Sequence, residues 1–204
     1  MIVIGLTGSI GMGKTETGKL FAAEAIPVSD ADTIVHQLYQ PGSAATAAIA
    51  AAFPGTLGPS GVDRSTLAAW LAAHPHDFAT LEAIVHPLVR QAQQAFLKTR
   101  SAEGHAAAVL DIPLLFETGR ARDVDLTLTV SAPAALQRQR VMARPGMTEA
   151  KFNAILSRQM PDAEKRRRAD AVLDSSKGLA AAALDVNHIV TNIRAGKFHA
   201  RNHS

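Results

Sequence analysis

The residues with the clearest chemical reading sit near the start of the chain: Gly8, Ser9, Ile10, Gly11, Met12, Gly13, Lys14 and Thr15. Their spacing is Gly, four residues, Gly, Lys, Thr, the pattern of a loop whose backbone N–H groups cradle a polyphosphate. Glycines let the backbone approach phosphate oxygens and adopt conformations that a side chain forbids, and Lys14 reaches the terminal phosphates as a point charge. The Thr15 hydroxyl is suited to Mg²⁺. With glycine near 7% of residues, the four fixed positions coincide by chance in roughly one chain in a hundred of this length. The dinucleotide fingerprint, with glycines at the first, third and sixth positions, is absent, so nothing supports a nicotinamide cofactor.

Further chemistry-bearing residues follow at intervals. Asp30 and Asp32 come directly after the short apolar stretch Ile26-Pro27-Val28-Ser29. One carboxylate beside a metal nucleotide can order metal-bound water, and the other can take a proton from an attacking hydroxyl. Either could instead cap a helix beginning near Thr33. In His86-Pro87-Leu88-Val89-Arg90 the proline suits the first turn of a helix, with His86 at its cap and Arg90 one turn in. An arginine near a helix N-terminus favours anions over helix stability, because the dipole there is already positive. An ordinary cap or core histidine is the competing reading of His86. The apolar run 106–110 ends on Asp111, an arrangement that serves as a second magnesium signature in phosphate-loop enzymes but recurs in many other strands.

Residues 133–168 hold nine Lys or Arg against three acidic residues, a local excess larger than the +3 of the whole chain. Gln137, Arg140 and Arg144 fall at i, i+3 and i+7, one face of a helix. A solvated charged face is one reading. A cationic helical lid that covers a phosphate loop, excludes water and stabilises transition-state charge is the other.

The elements that must position these groups can be read from apolar patterning. Ile2-Val3-Ile4 with Leu6 is a strand entering the loop, and 15–25 is a helix leaving it, so strand, loop and helix follow in the confirming order. Residues 26–29, 106–110, 126–130 and 171–174 read as further strands. Residues 33–100 read as an all-helical insertion with alanine-rich helices at 44–53 and 66–73 and a connecting loop at 54–61. Residues 179–193 form a closing helix, and 196–204 a polar, loose tail that includes His199 and His203.

Composition sets the remaining limits. A chain of 204 residues, 47% hydrophobic and 19% charged, has the make-up of a globular protein able to bury its own core. It has no cysteine, which excludes disulfides and thiolate metal sites. No signal peptide precedes the first strand and no apolar run approaches 18 residues, so a cytoplasmic setting without a membrane is expected. Aromatic residues are only 4%, too few for base-stacking platforms, which argues against a nucleic-acid partner despite a pI near 9.5.

Taken in order, the chain resembles the dephospho-coenzyme A kinases over nearly its whole length. The resemblance rests on 4–15, on Asp30-Ala31-Asp32, on His86 to Arg90, on Pro113-Leu114-Leu115-Phe116-Glu117, and on Gln137, Arg140, Arg144 and Gln159. It implies an α/β phosphate-loop fold with a parallel five-stranded sheet flanked by helices, a helical coenzyme-binding domain and a mobile lid. The implied division is 1–32, 104–132 and 169–204 as core, 33–103 as coenzyme-binding domain and 133–168 as lid. ATP would lie on Gly8, Gly11, Met12, Gly13, Lys14, Thr15 and Glu16, with Arg140 and Arg144 reaching it from the lid. Asp32 would act as base towards a ribose 3′-hydroxyl, with Lys14 and Arg140 as its catalytic companions. Dephospho-coenzyme A would meet Asp32, His86, Arg90, Leu114 and Glu117, while Thr15, Asp30 and Asp111 would serve Mg²⁺. The family often shows Asp then Asn after its last strand, whereas this chain has Asp174-Ser175-Ser176.

Other phosphate-loop functions remain in view. A nucleoside monophosphate kinase could share the core and would be told apart by its acceptor. A GTP switch is disfavoured, since the chain has no Asn-Lys-x-Asp and no Asp-x-x-Gly after its third strand. The sequence does not fix the oligomeric state.

Overall fold

Short apolar runs that feed turns become strands here, and the longer alanine-rich runs become helices. The computed structural model describes residues 1–197, so His199 and His203 lie outside the described residues. The order is β1 (Ile2–Thr7), α1 (Lys14–Ala23), β2 (Val28–Asp30), α2 (Ala31–Leu38), α3 (Thr46–Ala52), β3 (Leu57–Gly58), β4 (Gly61–Val62), α4 (Arg64–Ala73) and α5 (Phe78–Ala102). It continues with β5 (Ala107–Asp111), β6 (Leu126–Ser131), α6 (Ala134–Met142), α7 (Glu149–Leu156), α8 (Asp162–Arg168), β7 (Ala171–Asp174) and α9 (Leu179–Arg194). Among the described residues no helix is long and apolar enough to cross a membrane.

Five strands form a parallel sheet in the order β2-β5-β1-β6-β7, as expected for an α/β phosphate-loop fold. The first strand is central: Leu6 stands opposite Asp111 of β5, and Thr7 opposite Thr129 of β6. Every residue of β5 and β6 is buried: β5 is apolar up to Asp111, and in β6 the threonines that alternate with Leu126, Leu128 and Val130 are buried as well. The strand order reverses about β1, and open sheets of this kind leave a crevice at the carboxyl end of such a strand. The phosphate loop grows from that end.

The chain divides into two compact units: Met1–Ser29 with the chain from Arg100 onward, and Asp30–Thr99. The core of the first unit contains Ile4, Leu6, Phe21, Val109, Leu128, Val130 and Leu173. Helix α9 closes it with Ala182, Val186, Val190 and Ile193, spaced four, four and three residues apart along one helical face. Burying each larger side chain contributes about 1.5–3 kcal/mol. The turn after α1 is tied to α9: Asn187 Nδ2 donates to Glu24 Oε1 at 3.0 Å and Arg194 Nη2 to the Glu24 carbonyl at 2.5 Å.

The second unit buries Ala45, Ile49, Phe53, Val62, Leu67, Leu71, Val85 and Val89, with the Trp70 ring meeting Phe53 edge-on at 6.4 Å. Two expectations fail here. The segment 33–100 is not all helical, because residues 57–62 fold into the two-stranded antiparallel ribbon β3-β4, which takes up most of the stretch read as a loop and ends one residue beyond it. Gly61 makes the ribbon possible: its φ is +95°, and a β-carbon there would collide with the Tyr39 carbonyl that accepts from Val62 N at 2.8 Å. Pro87 does not begin a helix but lies inside α5, a helix of 25 residues. Its missing N–H gives up the bond to the Ala83 carbonyl. The apolar face bearing Val85, Leu88 and Val89 packs into the unit's core on both sides of the proline and outweighs the penalty, about 3 kcal/mol for an interior proline.

Smaller shifts follow from capping. Helix α2 starts at Ala31 instead of near Thr33, because the Asp30 side chain accepts from Asp32 N at 3.0 Å and so serves as the N-cap. Helix α6 ends at Met142, so Arg144 does not continue the face of Gln137 and Arg140.

Candidate active site

The loop between β1 and α1 is shaped by what surrounds it. A β-carbon at Gly8 would lie 2.7 Å from the Val130 carbonyl of β6, one at Gly11 would overlap the Val141 side chain of α6, and one at Gly13 would sit 3.2 Å from Ser175 Cβ. Gly11 and Gly13 also hold φ values of +78° and +96°, which side-chain-bearing residues rarely adopt. Gly13 is the N-cap of α1 and contributes no side-chain bond. The first N–H groups of α1 are therefore left to an incoming anion, with the helix dipole behind them.

Met12 takes part through its backbone alone. Its side chain is buried, and its sulfur accepts from Ala132 N at 3.2 Å. Thr15 and Glu16 are exposed on the first turn of α1, Glu16 pairing with Lys19 at 2.7 Å. Lys14 Nζ lies 2.6 Å from Asp111 Oδ1, with both side chains largely shielded from solvent. Asp111 thus stands at the phosphate loop, where the apolar strand before it delivers it. Thr15 and Asp111 offer hard oxygen donors of the kind Mg²⁺ takes. Among the described residues no group of three or more His, Asp or Glu gathers into a cage, so such a cation would draw most of its ligands from phosphates and water.

The basic segment packs onto this loop through amides. Gln137 Nε2 donates to the Ile10 carbonyl at 2.7 Å, and Gln159 Oε1 accepts from Ile10 N at 3.0 Å, so one loop residue is held at both of its backbone groups. Arg140 spans to the turn after β7: Nη1 donates to Ser175 Oγ at 2.8 Å and Nη2 to the Ser175 carbonyl at 2.9 Å. Arg144 is exposed beyond the end of α6.

Within the basic run 165–168, Lys165 is completely buried while Arg166, Arg167 and Arg168 are exposed. Its Nζ donates to the Pro113 carbonyl at 2.9 Å and pairs with Glu117 Oε1 at 2.9 Å. The same Glu117 oxygen accepts from Met160 N at 2.7 Å. Thr7 Oγ1 donates to the Pro113 carbonyl at 3.1 Å, linking this network to the end of β1. No sequence signal separates Lys165 from its neighbours, since all four are basic. Leu114, half-buried, carries the carbonyl that accepts from Thr118.

In the second unit, both Asp30 oxygens are engaged, Oδ2 accepting from Thr33 Oγ1 at 2.7 Å. Asp32 is exposed in the first turn of α2. His86 and Arg90 are exposed on α5 one turn apart, so they project from one face. Elsewhere in this unit Asp63 caps α4, and its bonds from Ser65 and Thr66 hold its carboxyl at about 2, below the ordinary 3.8.

The family described as dephospho-CoA kinase matches residues 2–181. A dephospho-CoA kinase of Agrobacterium fabrum is 55% identical over 96% of this chain and 100% of its own length, and one of Brucella melitensis is 49% identical over 95% and 96%. Among solved structures, TT1252 from Thermus thermophilus aligns with a TM-score of 0.78 at 32% identity, covering 94% of this chain and 97% of that one. A dephospho-CoA kinase from Campylobacter jejuni aligns at 0.71 and 22% identity over 96% and 98%, which speaks to the fold. By the family match and by identity over nearly its full length, the chain belongs to the dephospho-CoA kinase family.

Proposed function

We propose a residue-level mechanism for the activity of this family, the ATP-dependent phosphorylation of dephospho-CoA that completes coenzyme A biosynthesis. The observation that carries it is the open, side-chain-free N-terminus of α1 at Gly13, with Lys14 directly inside it. The β- and γ-phosphates of ATP lie across Gly8 to Thr15, bound by main-chain N–H groups and by Lys14, which leaves Asp111 to meet them. Glu16 lies beside them on the same turn. Thr15 and Asp111, with Asp30 as a further candidate already engaged in capping, are the residues that would hold Mg²⁺. When bound, that ion would supply charge neutralisation to the nucleotide phosphates.

The acceptor is the ribose 3′-hydroxyl of dephospho-CoA. Asp32 orients it in line with the γ-phosphorus and takes its proton, a role that its exposed carboxylate permits. Lys14 and Arg140 stabilise the charge that spreads over the transferring group, and Arg144 adds to the nucleotide site from beyond α6. His86 and Arg90 supply one cationic-capable face of α5 for the phosphates of the coenzyme. Leu114 and Glu117 belong to the same substrate site, Glu117 through the segment that it anchors. Residues 133–168 act as the lid, and we place the enzyme in the cytoplasm.

An acceptor screen tests the reading. ADP release with dephospho-CoA and none with nucleoside monophosphates is the expected result; the reverse preference assigns the core to nucleotide phosphorylation. Asp32→Ala is expected to bind ATP normally while losing turnover by a factor of about 10² or more. Near-parental turnover removes Asp32 from the base role.

A further inference from the structure

We propose that Ser175 is a positioning residue that sets Arg140 over the phosphate loop, an inference that rests on the charge-stabilising role given to Arg140 above. The strand β7 ends on Asp174, and residues 175–177 form a single tight turn behind it. Asp174 fixes that turn by accepting from Ser176 N at 2.9 Å and Ser176 Oγ at 2.6 Å. These bonds also hold its carboxyl below the usual range. Ser175 is thereby aimed at the loop, where its Oγ meets both the Met12 carbonyl at 2.6 Å and Arg140 Nη1 at 2.8 Å.

The direction of these bonds is decided by chemistry. A guanidinium has donors only and a carbonyl accepts only, so they can be joined only by a group that does both. The Ser175 hydroxyl accepts from Arg140 and gives its proton to Met12, the residue whose carbonyl precedes Gly13. Its main-chain carbonyl takes the second guanidinium nitrogen at 2.9 Å. Two donors of Arg140 are used in this way, and the others remain for a ligand. Close packing reinforces the geometry: a β-carbon on Gly13 would be 3.2 Å from Ser175 Cβ and 3.8 Å from Arg140 Nη1. The guanidinium is therefore held at the residue from which α1 offers its first N–H groups. Holding it there in advance removes the reorganisation that a freely moving arginine undergoes as charge develops.

The test is a double-mutant cycle on the whole enzyme, read as kcat, KM for both substrates and thermal midpoint. Ser175→Ala loses one bond to a charged group, and kcat is expected to fall about tenfold with both KM values and the midpoint nearly unchanged. Ser175→Cys keeps the size but bonds weakly, so it is expected to do the same and carries the test should the alanine variant fold poorly. In an Arg140→Ala background, Ser175→Ala is expected to cost less than twofold, because the group it positions is gone. Full activity of both serine variants, or an equal loss with and without Arg140, overturns the proposal while leaving the arginine's role standing. Parental kcat in Arg140→Ala alone overturns the arginine's role and the proposal with it.

Discussion

Two lysine–carboxylate pairs lie in the same unit and share their chemistry, but their lysines differ in surroundings. Lys14 meets Asp111 at the mouth of the phosphate loop with side chains 14% and 8% exposed, while Lys165 has no exposure at all and meets a Glu117 that is 15% exposed. Lys165 is held by a second oxygen, from Pro113, and Glu117 by a main-chain N–H from Met160. A buried charge surrounded by fixed dipoles has nothing better to exchange for. Lys14 by contrast stands at the N-terminus of α1, which has no side-chain cap, and an arriving phosphate offers it a stronger partner than a single carboxylate. The comparison teaches that an ion pair is a joint or a catch according to what else can reach it.

The sharpest way to break this distinction is to delete the lysine of the interior pair. Lys165→Met is expected to lower unfolding free energy by about 3–5 kcal/mol, since Glu117 is left without its countercharge, and the combined Lys165→Met with Glu117→Gln should recover much of that loss in denaturant titrations. At the loop, Lys14→Ala is expected to cut turnover by a factor of about 10² or more while leaving the denaturation midpoint close to the parent's. An equal loss of stability in both lysine variants would erase the contrast. A smaller effect is expected from Asp111→Asn. In EDTA, where no metal contributes, ATP affinity by calorimetry should rise about threefold to tenfold, because Lys14 no longer has to leave a carboxylate. The smallest belongs to a solvent-exposed pair, Arg138 with Glu149, both about half exposed or more. Glu149→Gln should change stability by less than about 0.5 kcal/mol, and a larger shift would mean that burial is not the deciding variable.

The parts of the site that were legible from sequence share one property: they are local. The glycines, Lys14 and Thr15 fall in one short window, so their spacing carries the geometry with it. Asp111 was less legible, because an apolar strand delivers its last residue to a predictable edge but many strands end on Asp. What escaped depends on contacts between distant segments. Pro87 carries a strong local signal, yet the core around Val85 and Val89 overrules it. The ribbon at 57–62 depends on the approach of Gly61 to Tyr39, which no turn rule contains. Lys165 shares its charge with the three arginines after it, and which of the four is buried is decided only when α8 docks. Asp30 shows the reverse case, since the competing capping role is the one its oxygens fill.

The grip on Ile10 from Gln137 and Gln159 has a practical bearing. Residues some 127 and 149 positions downstream dictate the contour of the nucleotide loop, so the eight residues that carry its signature do not constitute a portable cassette. A chimera that swaps the basic segment has to keep both glutamines, or it inherits a correct motif with the wrong curvature.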